Sequence, residues 1–279
     1  MRRLIVIIMV AATALTLSAC GGSSNAGEKV ASDCKPIVNG VQTHTDGALT
    51  MAVAEYPPYV SLKGGTLSGV DGVLLTRVAK ELCLKANAST QSFTAIIESV
   101  RNGSADLSAG NWYINEERGS QFELSKPVYQ DKMAVLSASG TTSLADLAGK
   151  TVGTPQGYLW VKDLQAALGA DKVKLYASED AVYQDVAAGR IDAGITTFGG
   201  ANQLVKANKS NLKVKVLEPD QRVQASVGAA QTAVLIHKGN TALQQAVNKV
   251  IEEMRADGSL KKALTDVGLP ASAAEVKQP

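Results

Sequence analysis

The stretch from Phe93 to Arg118, FTAIIESVRNGSADLSAGNWYINEER, decides the fold. FTAIIESVRNG reads as a helix ended by Asn102-Gly103, and ADLSAG as the strand that follows. Asn115 is a good N-cap, and Glu116 and Glu117 suit the positive end of a helix dipole, so the next helix is predicted to begin at Glu116. Helix, strand and helix in so short a span are the alternation of an α/β sheet with parallel crossovers. Arg118 then falls in a first turn, where the dipole disfavours a cation. Taken alone it is either a solvated arginine paired with its neighbouring glutamates, or an anion clamp facing a cleft.

Working outward, LTMAVA (Leu49–Ala54) reads as the first strand. After the turn signals of KGGTLSG, Asp71 is predicted to cap a helix carrying Leu74, Leu75, Val78 and Leu82 on one face. MAVLSASG leads on to TSLADLAGKTVGTPQG, which starts a second α/β unit. That unit is predicted to hold a helix from Tyr158 to Leu168, a strand from Val173 to Tyr176, a helix from Asp180 to Ala188 and the strand IDAGI. NLKVKVL and TAVLIHKG are strand-like, and two helices around Gly258 close the chain. Binding residues cluster at the carboxyl ends of strands, where open α/β sheets hold ligands.

The chain opens MRRLIVIIMVAATALTLSAC, a charged n-region, an apolar run too short for a spanning helix of roughly 20 residues, and Leu17-Ser18-Ala19-Cys20. That ending resembles the bacterial lipobox. Residues 1–19 are expected to be a lipoprotein signal peptide, with Cys20 lipidated and residues 20–44 a flexible tether on the outer face of a membrane. Without Arg2 and Arg3 the 28 basic residues fall level with the 26 acidic ones, so nucleic acid is not an expected partner. Cys34 and Cys83, the pair left in an exported chain, are expected to be bridged.

In order, EYPPY, GTLSGVDGVLLTRVAKEL, FTAIIESVRNGSADLSAG, INEERGSQFELSKPVY, LAGKTVGTPQG, AAGRIDAG and NKVIEEMRADGSLKKAL resemble the polar amino-acid substrate-binding proteins (family 3 solute-binding proteins) of bacterial ABC importers. The resemblance implies a two-lobe fold of the periplasmic-binding-protein type II, with two hinge crossings near Leu136–Ser139 and Gly228–Thr232. It divides the chain into lobe 1 (45–136 plus 232–279) and lobe 2 (137–231), with a ligand held between them. It also implies a monomer that delivers its ligand to a membrane permease, without cofactor or metal.

By the same resemblance Arg118 matches the arginine that binds the ligand carboxylate. A guanidinium offers a rigid bidentate fork to a planar carboxylate, and water exclusion strengthens the pair. Asn111, Gly157 and Tyr158 fall at positions that help hold that carboxylate, and Tyr56 and Phe93 at the stacking positions. Departures are as informative. Thr197 stands where the family usually has the aspartate that holds an ammonium, Gly157-Tyr158-Leu159 replaces a Gly-Thr-Thr loop, and Tyr113 adds a ring. Tyr56, Phe93 and Tyr113 could cage a weakly hydrated cation such as an ectoine or betaine. The pocket would also suit an aromatic acid, or Glu55 or Asp185 could restore an ordinary amino-acid site. Trp112 is expected beneath the loop because adjacent strand residues point to opposite faces. His44 and His237 fit no catalytic motif, so a dehydratase-like enzyme is the weaker alternative, and a receptor-docking sensor subunit a third.

Overall fold

The computed structural model describes residues 33–277; residues 1–19, expected to be a signal peptide, and Cys20 lie outside the described residues. Two large sheets carry the architecture, beside a small hairpin of Ser61–Lys63 and Thr66–Ser68. In the first, strands run in the order Lys85–Thr90, Ala48–Val53, Leu107–Tyr113, Ala230–Ile236 and Glu123–Leu124. The first three are parallel and Ala230–Ile236 is antiparallel to its neighbours. In the second the order is Val173–Tyr176, Val152–Pro155, Ala193–Thr197, Met133–Ser137 and Lys213–Val216, with Met133–Ser137 antiparallel to both neighbours. One apolar core packs on the first sheet and two on the second, and together they make the two lobes of a type II periplasmic-binding-protein fold.

Helix Gly69–Glu81 buries Leu74, Leu75 and Val78 as its spacing requires. Its cap is Ser68, however, and Asp71 is not a cap. At the third position of the first turn, Asp71 is buried instead. Helix Phe93–Arg101 is capped by the Ser92 hydroxyl, which accepts from the Ala95 N–H, and it buries Phe93, Ile96 and Val100. The closing helices Thr241–Ala256 and Ser259–Asp266 pack their apolar faces into the first core. Cys34 and Cys83 form a disulfide that ties the segment before the first strand to the end of helix Gly69–Glu81.

The chain crosses between sheets earlier than the sequence suggests. Asp131 pairs with Ala230 beside the first sheet, whereas Met133 already pairs with Thr197 in the second. The whole strand Met133–Ser137 therefore belongs to the second lobe, and the first crossing lies at Asp131–Met133 rather than at Leu136–Ser139. An apolar run buried on both faces looks the same in either sheet, which is why MAVLS carried no sign of its lobe. The return crossing runs beside it through Ala230 and Gln231.

Candidate functional site

Asn115 follows the strand Leu107–Tyr113, and its side chain accepts from the Arg118 N–H at 2.9 Å, so the helix Glu116–Gln121 begins as the sequence predicts. This cap turns Arg118 into the cleft, 9 % exposed. Its Nη1 donates to the Tyr113 carbonyl (2.6 Å) and Nη2 reaches the Gly157 carbonyl (3.4 Å) across the cleft. Its guanidinium carbon lies 5.1 Å from the centre of the Trp112 ring. Two of five N–H donors are thereby used. Among the described residues no carboxylate lies within ion-pair distance of Arg118, and burial pushes its guanidinium down to about 10. The solvated surface arginine is excluded.

Asn111 makes the wall beside it. Its φ of 57° places a non-glycine residue in the left-handed region and breaks the strand's alternation. Opposite, Ala233 pairs with Trp112 and Leu235 with Ser108, so Leu107–Tyr113 carries a bulge between those two points. The bulge swings Trp112 into the cavity lining instead of beneath the loop, with its Nε1 donating to Ser108 Oγ at 3.0 Å. Two buried carboxylates hold the bulge from behind: the Asn111 N–H donates to Asp71 (2.9 Å) and its Nδ2 to Asp131 (2.8 Å). Tyr129 donates to Asp71 and Tyr59 to Asp131. Burial raises Asp71 to about 7 and moves Asp131 in the same direction. Asn111 Oδ1, buried on the cavity wall, has no partner among the described residues.

The remaining wall is aromatic. Phe93 meets Tyr56, Tyr158 and Trp112 edge to face, at centroid separations of 5.2, 5.0 and 5.7 Å. Tyr158 meets Trp160 likewise at 5.0 Å, and Tyr113 packs on Trp160 at 5.6 Å. The expected cage of Tyr56, Phe93 and Tyr113 thus gains Tyr158, which the resemblance had assigned to the carboxylate loop, and Trp160. The sequence predicts both as part of a helix. The helix actually starts at Val161, which leaves Tyr158–Trp160 as a loop free to turn its rings inward. Leu159 lines the same cavity.

Thr197 also lines the cavity, but the acid beside it is neither Glu55 nor Asp185. Glu55 is exposed and bonded to Ser61 and the Leu62 N–H. Asp185, away from the cavity lining, accepts from Tyr176 and Arg190, which hold its carboxyl below the usual range. The acid in contact with Thr197 is Glu179, 3 % exposed, at the start of the helix Glu179–Ala187. Its Oε1 accepts from Thr197 N (2.8 Å), Tyr56 OH (3.0 Å), Tyr158 OH (3.1 Å) and Thr197 Oγ1 (3.2 Å). Desolvation raises Glu179 to about 7, with Asp131 adding to the rise and the hydrogen bonds opposing it. His44 and His237 stand outside the cavity lining; His237 Nδ1 lies 2.9 Å from the Val100 carbonyl.

The cavity between these walls measures about 20 Å³, close to the room one water occupies. Tyr56, from the first lobe, lies 2.5 Å from the Thr197 hydroxyl of the second. Any amino-acid-sized molecule can therefore enter only if the lobes part.

A family model described as bacterial extracellular solute-binding proteins, family 3, matches residues 49–266. The chain is 26% identical over 263 residues to the probable amino-acid-binding protein YxeM of Bacillus subtilis, covering 92% of this chain and 91% of that one. It is 29% identical over 212 residues to the L-cystine-binding protein TcyJ of Escherichia coli, covering 74% and 76%. Among solved structures, the amino acid ABC transporter substrate-binding protein AbpA from Streptococcus pneumoniae, bound to L-arginine, aligns with a TM-score of 0.70 at 26% identity. That alignment covers 83% of this chain and 97% of AbpA. With the family match running through both sheets and into the last helix, the chain belongs to the family 3 bacterial extracellular solute-binding proteins.

Proposed function

We propose that this protein captures a small amino acid, or an amino-acid derivative with a free carboxylate, and delivers it to an ABC importer by closing its lobes. One observation carries the reading: Arg118 is buried in an aromatic-walled cleft with most of its donors free and, among the described residues, no carboxylate of its own. A buried cation costs several kcal/mol unless paired, so a guanidinium kept in that state is matched to an anion supplied from outside. Tyr56, Phe93 and Tyr158 would cover the rest of the ligand. Micromolar affinity needs about 8 kcal/mol, within reach of one desolvated bidentate pair and the burial of a small apolar body. A relative named for L-cystine and a solved structure bound to L-arginine support an amino-acid ligand.

The family is one of binding proteins, so the enzyme reading falls away. Among the described residues no helix is long and apolar enough to cross a membrane. We place the protein outside the cytoplasm as a monomer, moored through lipid on Cys20 and the tether that follows, with lobe 1 formed by 45–131 plus 230–279 and lobe 2 by the segment between. The test is a thermal-shift screen of the purified protein against the standard L-amino acids, L-cystine, ectoine and glycine betaine, with Arg118→Ala alongside. Binding raises the midpoint by mass action. A shift with one amino acid that Arg118→Ala abolishes supports the carboxylate clamp; a shift that survives Arg118→Ala refutes it.

A further inference from the structure

A zwitterion that gives its carboxylate to Arg118 must also place its cation, and the position where the resemblance expects an acid holds Thr197 instead. A hydroxyl accepts one hydrogen bond from an ammonium but does not neutralise it. Glu179 touches that same hydroxyl. Among the described residues its Oε2 is the one buried carboxylate oxygen without a hydrogen-bond partner.

The surroundings are built for a carboxylate. Thr197 N–H anchors Oε1 at 2.8 Å. Oε2 stands where the first turn of the helix Phe198–Ala207 comes close, over Gly200, at which a Cβ would lie 2.1 Å from it. Glycine there leaves the acid its space. Two of the four donors on Oε1 are phenol hydroxyls from the cavity wall, and they arrive from opposite lobes. Tyr158 belongs to the second, with Glu179, while Tyr56 reaches over from the first. When the lobes part, Tyr56 leaves with its own lobe, and the acceptor it occupied turns toward the cleft beside Thr197 Oγ1.

We infer that Glu179 is the counter-ion for a primary ammonium on the ligand, reached past Thr197, with the ligand's N–H donors taking the place of the tyrosine hydroxyls. This rests on the amino-acid-binding reading above and sharpens it. Among the ligands that fit an aromatic cleft, it selects one whose cation donates hydrogen bonds, an α-amino acid, over a quaternary betaine or a cation-free aromatic acid. Asp71 and Asp131 are not competitors for the role, because Asn111 stands between them and the cavity and each has a tyrosine donor of its own.

The experiment is isothermal titration of the purified protein with L-arginine, L-cystine, the other standard L-amino acids and glycine betaine, and with the des-amino counterpart of whichever amino acid binds. Wild type, Glu179→Gln, Arg118→Lys and Glu179→Gln/Thr197→Asp are compared. Losing one charge-assisted contact corresponds to about 10- to 100-fold in affinity. Glu179→Gln is expected to lose that factor for the amino acid and to leave the des-amino acid unchanged, and Thr197→Asp in the same chain to restore much of it. Arg118→Lys is expected to weaken both ligands. Equal effects of Glu179→Gln on the two ligands, or none on either, overturn the assignment while leaving the carboxylate clamp intact. Binding of glycine betaine with no amino acid overturns it as well. Amino-acid binding insensitive to Arg118→Lys refutes the underlying reading instead.

Discussion

Replacing Glu179 by glutamine should make the protein more stable above neutral pH, and the size of the gain follows from the burial of the carboxyl. Its pKa is raised from 4.5 to about 7. For an acid shifted upward the native state binds the extra proton, so stability falls as pH rises. The contribution is fully present below pH 4.5 and is lost as pH climbs through 7. A rise of this size corresponds to about 3 kcal/mol, of which about 2.5 lies between pH 5 and pH 8. Tyr56 and Tyr158 stay neutral in this window, since burial pushes both phenols well above their ordinary value. Asp71, also raised to about 7, and Asp131 slope the same way and remain in the variant. Glutamine mimics the protonated acid, so Glu179→Gln should lie within about 1 kcal/mol of wild type at pH 5 and exceed it at pH 8 by about 3 kcal/mol. In a chain of this size that is roughly 5 to 10 °C in midpoint. Urea midpoints at pH 5, 6, 7 and 8 would be measured after bound amino acids are stripped by unfolding, dialysis and refolding. Parallel pH slopes for the two proteins, or a wild type that is the more stable at pH 8, would refute the reasoning.

Gly200→Ala should lower the urea midpoint by about 1 to 3 kcal/mol and weaken amino-acid binding, because its methyl would press on Glu179 Oε2 and on Thr197 Oγ1 at 2.9 Å. At Asn111, with φ of 57°, Asn111→Gly should keep the bulge while Asn111→Val adds about 1 to 2 kcal/mol of strain, visible as a lower thermal midpoint for valine than for glycine. Cys34→Ser should cost up to about 4 kcal/mol, since the bridge spans 49 residues of sequence; a midpoint insensitive to both reductant and substitution would count against a stabilising bridge.

What could be read from the sequence was what is decided locally. Asn115 and the glutamates after it fix a helix start, whatever the rest of the chain does, and so the turn that aims Arg118 was legible. Trp112 was placed on the wrong side because period-two reasoning assumes an unbroken ladder, and the break is set by Ala230–Ile236, more than a hundred residues on. Tyr158–Trp160 looked helical because nothing in Tyr-Leu-Trp marks a stop, and the rings turn inward only where Phe93 and Tyr113 meet them. Glu179 passed unnoticed for a related reason. An acid just after a serine cap is the ordinary complement of a helix dipole. Its burial depends on Tyr56, 123 residues away in the other lobe.

The placement of Arg118 and Glu179 on different lobes also accounts for the proposed closure. Arg118 is fixed to the first lobe by Asn115 and the Tyr113 carbonyl, and Glu179 to the second by the Thr197 backbone. A carboxylate bound to Arg118 in an open cleft leaves the ligand's ammonium in water, where it gains little. Only the closed arrangement lets one molecule touch both charges with water excluded, so the zwitterion binds the closed state more tightly than the open one, which is the condition for it to shift the equilibrium. The bonds from Tyr56 to Thr197 and Glu179 run the other way: they reward closure over an unfilled cleft and must be exchanged for the ligand's own donors. Tyr56→Phe removes that competition while keeping the ring. Its effect on affinity therefore separates the two uses of this tyrosine, with tighter amino-acid binding if the hydroxyl competes with the ligand and weaker binding if it contacts the ligand directly.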